Sequence, residues 1–296
     1  VTILVTGGTG QLAHALGQAA SRGCAGEDVR RVGRPDFDFD RPDSLHGVLA
    51  AHAPSLVINT AAYTAVDRAE QDADAAARAN RDGPALLARY CARAAIPLIH
   101  ISTDYVFDGL KGAPYVETDP PNPTGVYGAT KRAGEQAVLA GCPRAIVLRT
   151  SWVYAATGKN FVLTMLNAAA KAPLLRVVAD QTGCPSAAID LADAILAIAA
   201  RVQGGWSDAF GGVFHLAGTG ATSWHGLATA ALEDAARHGL TAPPVEAIAT
   251  ADWPTPARRP PDSRLDCGKL ARVFGITMPP WRPTLTRVID SIYAAA

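Results

Sequence analysis

The sequence has no cysteine pair at C-x-x-C spacing, no run of basic residues and no uninterrupted apolar stretch of membrane-spanning length. Each absence excludes something. The 5 cysteines (Cys24, Cys91, Cys142, Cys184, Cys267) are scattered, which provides neither a zinc-chelating pair nor the dense framework of a secreted scaffold. They read as small buried hydrophobes in a reducing compartment. Lys+Arg 27 against Asp+Glu 27 leaves a formal net charge of +0, which argues against a nucleic-acid partner. The apolar stretch 191–200 is interrupted by Asp193 and falls short of the roughly 20 residues needed to cross a bilayer. The chain opens directly into an apolar run and a glycine loop, without a basic leader, so the expectation is a cytoplasmic protein with no membrane partner.

What is present is an ordinary globular composition: 296 residues, 49% hydrophobic and 18% charged. A chain of this length buries about three quarters of the surface its unfolded form exposes, as one large or two modest domains. Short β-branched runs at 2–6, 28–32, 56–59, 98–102, 145–149 and 175–179 alternate with helical patterns at 11–22, 42–52, 69–81, 84–93, 127–140, 161–171 and 191–201. Gly23 stands near the end of the first helix. After about residue 155 the alternation breaks down and Gly/Pro punctuation becomes denser. There Ser223 is placed to cap a helix reaching His238, and Asp266 one that ends at Phe274 before Gly275. The pattern predicts an α/β fold, a Rossmann-like doubly wound parallel sheet with a smaller C-terminal α/β lobe, divided at 1–155 and 156–296, with later segments returning to the first part.

Directly after the first strand comes the run Gly7-Gly8-Thr9-Gly10-Gln11-Leu12-Ala13, and then a helix. Glycines let the backbone turn tightly and approach a pyrophosphate, while the N–H groups at the helix start attract its charge. Such a loop also serves as a plain strand-to-helix turn, but its place between a first strand and a first helix favours a dinucleotide. The end of the second strand selects between nicotinamide cofactors, an acid bonding the ribose 2′-OH and an arginine suiting the 2′-phosphate. Arg34 stands there, so NADPH is expected with Arg34 as the phosphate clamp, and NADH is left open. The other reading of Arg34 is a solvated cation. Asp38 and Phe39 follow, where a carboxylate could bond the adenine amino group and a ring could lie beside it.

Tyr127 and Lys131 stand at i and i+4, so both project from one face of a helix. A free phenol has a pKa near 10, and a neighbouring ammonium favours the phenolate, bringing the group closer to working pH for proton exchange with a carbonyl oxygen. The alternative is a surface aromatic resting on a lysine stem. The run Ser102-Thr103-Asp104-Tyr105-Val106-Phe107-Asp108-Gly109 closes a strand, and ligands of parallel sheets bind at the strands' carboxyl ends. Thr103 is therefore placed to hydrogen-bond the same oxygen as Tyr127.

Together these segments resemble the extended short-chain dehydrogenase/reductase superfamily, and within it the dTDP-4-dehydrorhamnose reductase family. The resemblance is carried by residues 59–70 (NTAAYTAVDRAE), 102–109 (STDYVFDG), 127–131 (YGATK) and 149–154 (RTSWVY). Asp180-Gln181 with Gly183 and Pro185, and Arg259-Pro260 with Ser263 and Leu265, extend it over nearly the whole chain. It implies an oxidoreductase of dTDP-rhamnose biosynthesis that reduces the C4 ketone of dTDP-4-dehydrorhamnose with NADPH. Tyr127 would be the proton donor, Lys131 would hold the nicotinamide ribose and acidify Tyr127, and Thr103 would orient the ketone. Gly7, Gly10, Gln11, Leu12, Asp38, Phe39, Ala61, Ala62, Tyr63 and Thr64 would line the dinucleotide. Thr103, Asp104 and Trp152 would contact the dTDP-sugar, Trp152 packing on a ring face, and Arg259 beside Arg258 would meet the diphosphate. For Trp152 the other reading is a core aromatic, and for the arginine pair a solvated loop tip. Trp206, Trp224, Trp253 and Trp281 are read as packing residues.

Some family members join subunits through glutamate-bound magnesium, but His14-Ala15 and Ala188-Ile189 stand where such acids are wanted. No metal is expected, and any homodimer would lack a metal bridge. Two rivals remain on the sequence: another dTDP-4-keto-6-deoxysugar reductase or epimerase of the same architecture, and a non-catalytic dinucleotide-binding regulatory subunit. Intact Tyr127, Lys131 and Thr103 count against the second.

Overall fold

The computed structural model describes residues 2–22 and 28–294. Gly23 and Cys24 lie outside the described residues. The first half runs β1 (Thr2–Thr6), α1 (Gln11–Arg22), β2 (Asp28–Val32), α2 (Pro42–His52), β3 (Leu56–Asn59), the short helices α3 (Val66–Ala69) and α4 (Ala73–Ala77), α5 (Gly83–Arg93), β4 (Leu98–Thr103), α6 (Val126–Gly141) and β5 (Ala145–Thr150). The second runs β6 (Val153–Tyr154), α7 (Phe161–Ala169), β7 (Leu175–Val178), β8 (Thr182–Gly183), β9 (Ser186–Ala187), α8 (Ala188–Gln203), β10 (Gly212–His215), β11 (Thr222–Ser223), α9 (Trp224–Ala236), β12 (Val245–Ile248), α10 (Gly268–Phe274) and α11 (Trp281–Ala294).

Six strands form a parallel sheet in the order β10-β5-β4-β3-β1-β2. Strand side chains alternate between its faces, and both faces are apolar because helices cover both. Ile3, Val5, Ile58, Ile99 and Leu148 point toward α1 and α8. Leu4, Val57, Leu98 and Val147 point the other way, into a core shared with α2, α5 and α6. Each such side chain, fully buried, contributes roughly 1.5–3 kcal/mol. Strand order reverses between β1 and β3, and that switch point is where open α/β sheets bind ligands. A separate core joins α7, α9, α11 and β7.

The elements expected from the alternation are present, with one exception. The helix expected over 69–81 is broken into α3, α4 and a π-turn at Arg78–Asp82 that runs into α5. Ser223 caps α9, its side chain accepting from the Gly226 N–H. The Asp266 carboxylate accepts from the Gly268 N–H at 2.7 Å, one residue outside the first turn of α10. No described helix is long and apolar enough to cross a membrane.

Candidate active site

The loop after β1 is shaped by backbone contact. Gly7 adopts φ +79°, and a Cβ there would stand 2.9 Å from the Ala61 nitrogen and from Thr60 Oγ1. Gly8 N–H donates to the Val32 carbonyl at 2.9 Å, and Gly10 N–H to that of Gly7 at 2.8 Å. The Gly10 carbonyl accepts from His14 N–H, so α1 begins just after it, and its first-turn N–H groups lack intrahelical acceptors. Gly8 and Gly10 bring no Cβ of their own to this turn, and one on Gly10 would stand 3.2 Å from the Gly7 carbonyl, so bare backbone faces the helix start as the cradle a pyrophosphate requires. The residues present thus fit a dinucleotide.

Buried polar contacts tie the strand ends around this loop. Thr6 Oγ1 donates to Asn59 Oδ1 at 2.6 Å, Asn59 Nδ2 lies 2.9 Å from His100 Nδ1, and Thr60 Oγ1 donates to the Thr6 carbonyl at 2.6 Å. Beyond β3, Ala61, Ala62 and Tyr63 are half-buried and Thr64 is exposed. Asn80, fully buried in the π-turn, holds this segment: its Oδ1 accepts from Tyr63 N–H at 2.8 Å, and its Nδ2 donates to the Tyr63 carbonyl and to Thr130 Oγ1, both at 3.1 Å. Sequence reading gave Asn80 no role. Its surroundings in the sequence, Arg78-Ala79-Asn80-Arg81-Asp82, read as a solvated polar run and carried no signal of a buried amide.

Thr103 and Asp104 stand at the carboxyl end of β4, both buried, with Thr103 Oγ1 donating to Asp104 Oδ1 at 3.0 Å and accepting from Tyr105 N–H at 3.2 Å. Asp104 Oδ2 is buried without a hydrogen-bond partner among the described residues. Burial pushes its carboxyl up to about 6, against the pull of the nearby Ser263 hydroxyl and of the Thr103 bond. Tyr127, in the first turn of α6, meets the Tyr105 ring edge-on at 5.7 Å. Glu70 anchors that turn by accepting from Val126 N–H at 2.8 Å, an acid where the helix dipole favours one.

Lys131 is buried one turn on, and its Nζ donates to the Ile101 carbonyl at 2.6 Å. Burial lowers its pKa to about 8, with Glu135 opposing. Glu135 is itself buried between Ser102, Arg132 and Arg149, whose Nε and Nη2 both donate to it at 2.8 Å. Here one expectation is corrected. The Tyr127 phenol is not acidified but pushed up to about 12, by desolvation first, with Thr103 hydrogen bonding opposing and Asp104 adding. The Lys131 ammonium points its hydrogen bond at the Ile101 carbonyl, and burial of the phenol, with the Asp104 carboxyl beside it, raises the pKa.

Four further expected ligand residues are engaged within the protein. The Phe39 ring is buried against Gly83 and edge-on to Phe37, which turns it to the core instead of the open loop. Leu12 is likewise a core side chain, leaving its backbone to the loop. Arg259 spends its fork on Asp67, Nη1 at 2.8 Å and Nη2 at 2.7 Å, instead of presenting it free. Trp152, at φ +47°, lies 3.5 Å from Trp224 with planes 4° apart, and a Cβ on Gly183 would stand 2.3 Å from its indole. Its stacking partner is therefore another indole. Trp224 packs as expected, and its Nε1 donates to Gln181 Oε1 at 3.1 Å.

Gln11 reaches across to the second half: its Nε2 donates to the Lys159 carbonyl at 3.2 Å and its Oε1 accepts from Asn160 Nδ2 at 2.9 Å. Arg34 and Asp38 pair at 2.9 Å beside the loop. Exposed Arg258 shares with Val66, Glu70, Tyr105 and Thr124 a small cavity that opens on Tyr127. Among the described residues no group of three or more His, Cys, Asp or Glu could hold a metal ion.

The family described as RmlD substrate binding domain matches residues 1–294. A dTDP-4-dehydrorhamnose reductase of Sinorhizobium fredii is 42% identical over 287 residues, 97% of this chain and 96% of that protein. The crystal structure of a dTDP-4-dehydrorhamnose reductase from Clostridium acetobutylicum superposes with TM-score 0.90 at 34% identity, covering 99% of each chain. That of the Bacillus anthracis enzyme, in complex with NADP, does so with TM-score 0.88 at 30% identity, covering 98% of this chain and 99% of that one. With its parallel sheet, glycine cradle and Tyr127–Lys131 helix matched from end to end, this chain belongs to the dTDP-4-dehydrorhamnose reductase (RmlD) family.

Proposed function

We propose that this protein is an NADPH-dependent oxidoreductase that reduces the C4 ketone of dTDP-4-dehydro-6-deoxy-L-mannose to dTDP-L-rhamnose. The observation that carries the reading is the placement of Thr103, whose hydrogen bonding acts on the Tyr127 phenol, and of Lys131, whose Nζ reaches the Ile101 carbonyl, near the carboxyl end of β4, on the same end of the sheet as the glycine cradle after β1. Gly7, Gly10, Gln11 and the segment 61–64 hold the dinucleotide, whose chemistry is to supply a hydride. Residues 1–155 form the dinucleotide-binding part, to which α8 and β10 return, and 156–296 mainly bind the sugar nucleotide.

Thr103 orients the ketone oxygen. Tyr127 donates its proton to that oxygen as negative charge develops there. A phenol held near 12 keeps its proton at neutral pH and yields it to an alkoxide, which is a far stronger base. The Lys131 ammonium fixes the ribose and compensates the phenolate left behind. The same reading makes the enzyme cytoplasmic, and any homodimer independent of a metal bridge.

The test mixes the protein with dTDP-4-dehydro-L-rhamnose and each reduced nicotinamide and identifies the sugar formed. dTDP-L-rhamnose supports the reading. The C4 epimer makes the protein a different ketosugar reductase, and nucleotide binding without oxidation of NADPH makes it a regulatory subunit.

A further inference from the structure

We infer that Asp40 sets how strongly this protein discriminates between 2′-phosphorylated and unphosphorylated dinucleotides, by competing with the 2′-phosphate for Arg34. The inference rests on the dinucleotide reading above. It starts from the end of β2, where the Gly33 backbone presses on the glycine loop: a Cβ on Gly33 would stand 3.0 Å from the Gly8 nitrogen. Arg34 follows directly, where the adenosine ribose of a bound dinucleotide lies.

The Arg34 guanidinium is two-thirds exposed, yet one whole edge of its fork is taken. Nε donates to Asp38 Oδ1 at 2.9 Å and Nη2 to Asp40 Oδ2 at 2.6 Å. A phosphate taken bidentately wants such an edge. Here it meets Arg34 from the Nη1 side, with the Asp40 carboxylate beside it. An unphosphorylated ribose finds instead two carboxylates able to accept from its hydroxyls. The acid that favours one cofactor and the arginine that favours the other are thus locked into one ion network.

Within that network Asp40 is the member that can be changed. Asp38 is largely buried, and its Oδ1 also accepts from Asp40 N–H at 3.1 Å, so it shapes the turn. Asp40 is exposed, and its Oδ1 accepts from Arg78 Nε at 2.9 Å. Arg78 shares the Asp40 charge and so weakens its hold on Arg34. Arg41 stands 4.0 Å from Asp38, and Asp36 and Asp43 are the other charged residues of the turn.

The experiment measures NADP+ and NAD+ affinities of the whole protein by calorimetry at low and high salt. For Asp40→Asn, NADP+ affinity rises roughly three- to tenfold at low salt while NAD+ affinity holds or falls, and the gain shrinks at high salt. Arg78→Gln, which leaves Asp40 to Arg34 alone, moves the ratio in the opposite direction. Arg34→Ala brings NADP+ down to the level of NAD+. An unchanged or lowered NADP+/NAD+ ratio in Asp40→Asn, or an Arg34→Ala protein that keeps its full preference, overturns the inference. A wild-type protein that binds neither nucleotide overturns the dinucleotide reading instead.

Discussion

Trp152 lies flat on Trp224, ring centroids 3.5 Å apart, while its own backbone holds φ +47°. A left-handed conformation at a bulky residue is strained and persists only where its surroundings enforce it. Trp224 on one side and the Cβ-free Gly183 on another supply that enforcement. Trp224→Leu is expected to lower stability by roughly 2–4 kcal/mol in urea unfolding. It should also raise the KM for the sugar nucleotide while leaving the Kd for NADPH in place. If KM is unmoved, the stack serves packing alone.

Tyr127→Phe keeps the ring against Tyr105 and deletes only the hydroxyl that donates the proton. Turnover should fall by roughly two to four orders of magnitude, the usual span of general acid catalysis, with NADPH affinity nearly intact. Single-turnover NADPH oxidation reads the first effect and fluorescence titration the second.

Lys131 carries a pH signature. Burial lowers its pKa to about 8, so the ammonium is present below that pH and lost as pH rises through it. If the charge serves catalysis, kcat/KM falls along one limb centred near 8. Lys131→Met should remove that limb together with most of the rate. A wild-type profile flat to pH 10 would contradict the shift.

Most of the sheet was legible because buried parallel strands are continuous β-branched runs, as at 2–6, 56–59 and 145–149. β10, with glycine at its start and His215 at its end, lacked that run, and its partner β5 lies far away in sequence. α11 opens on Trp281 with Pro283 inside its first turn, which reads as a loop. At the candidate site, residue types and spacing pointed to Tyr127, Lys131 and Thr103, which the fold places at the carboxyl end of β4 and the start of α6. What they could not announce was partnership: that Arg259 closes on Asp67 and Trp152 on Trp224 depends on contacts 192 and 72 positions apart.

Asn80 illustrates the same point and can be tested. It grips both ends of the Tyr63 peptide and the Thr130 hydroxyl from a fully buried position. Asn80→Ala leaves three half-buried polar groups without that partner, a loss of about 1–3 kcal/mol. If the Tyr63–Thr64 segment borders the dinucleotide as proposed, NADPH affinity should fall as well. Thermal unfolding with and without NADPH separates the two effects, since a purely structural residue would leave the ligand-induced shift in Tm intact.

Asp104 yields the sharpest pH prediction for stability. Its carboxyl sits near 6 in the folded protein, against 3.8 when unfolded. Between those values the folded state binds the extra proton, so stability is greatest at the acid end and falls as pH rises through the window. At pH 7 the full penalty applies, about 3 kcal/mol for a shift of this size. Asp104→Asn removes the charge and should raise unfolding free energy at pH 7 by up to that amount. The gain should shrink toward zero as pH drops from 6 to below 4. Urea unfolding of both proteins at pH 4 and 7 checks the sign: a variant less stable than wild type at pH 7 would show that the carboxylate is stabilised by partners instead of penalised by burial.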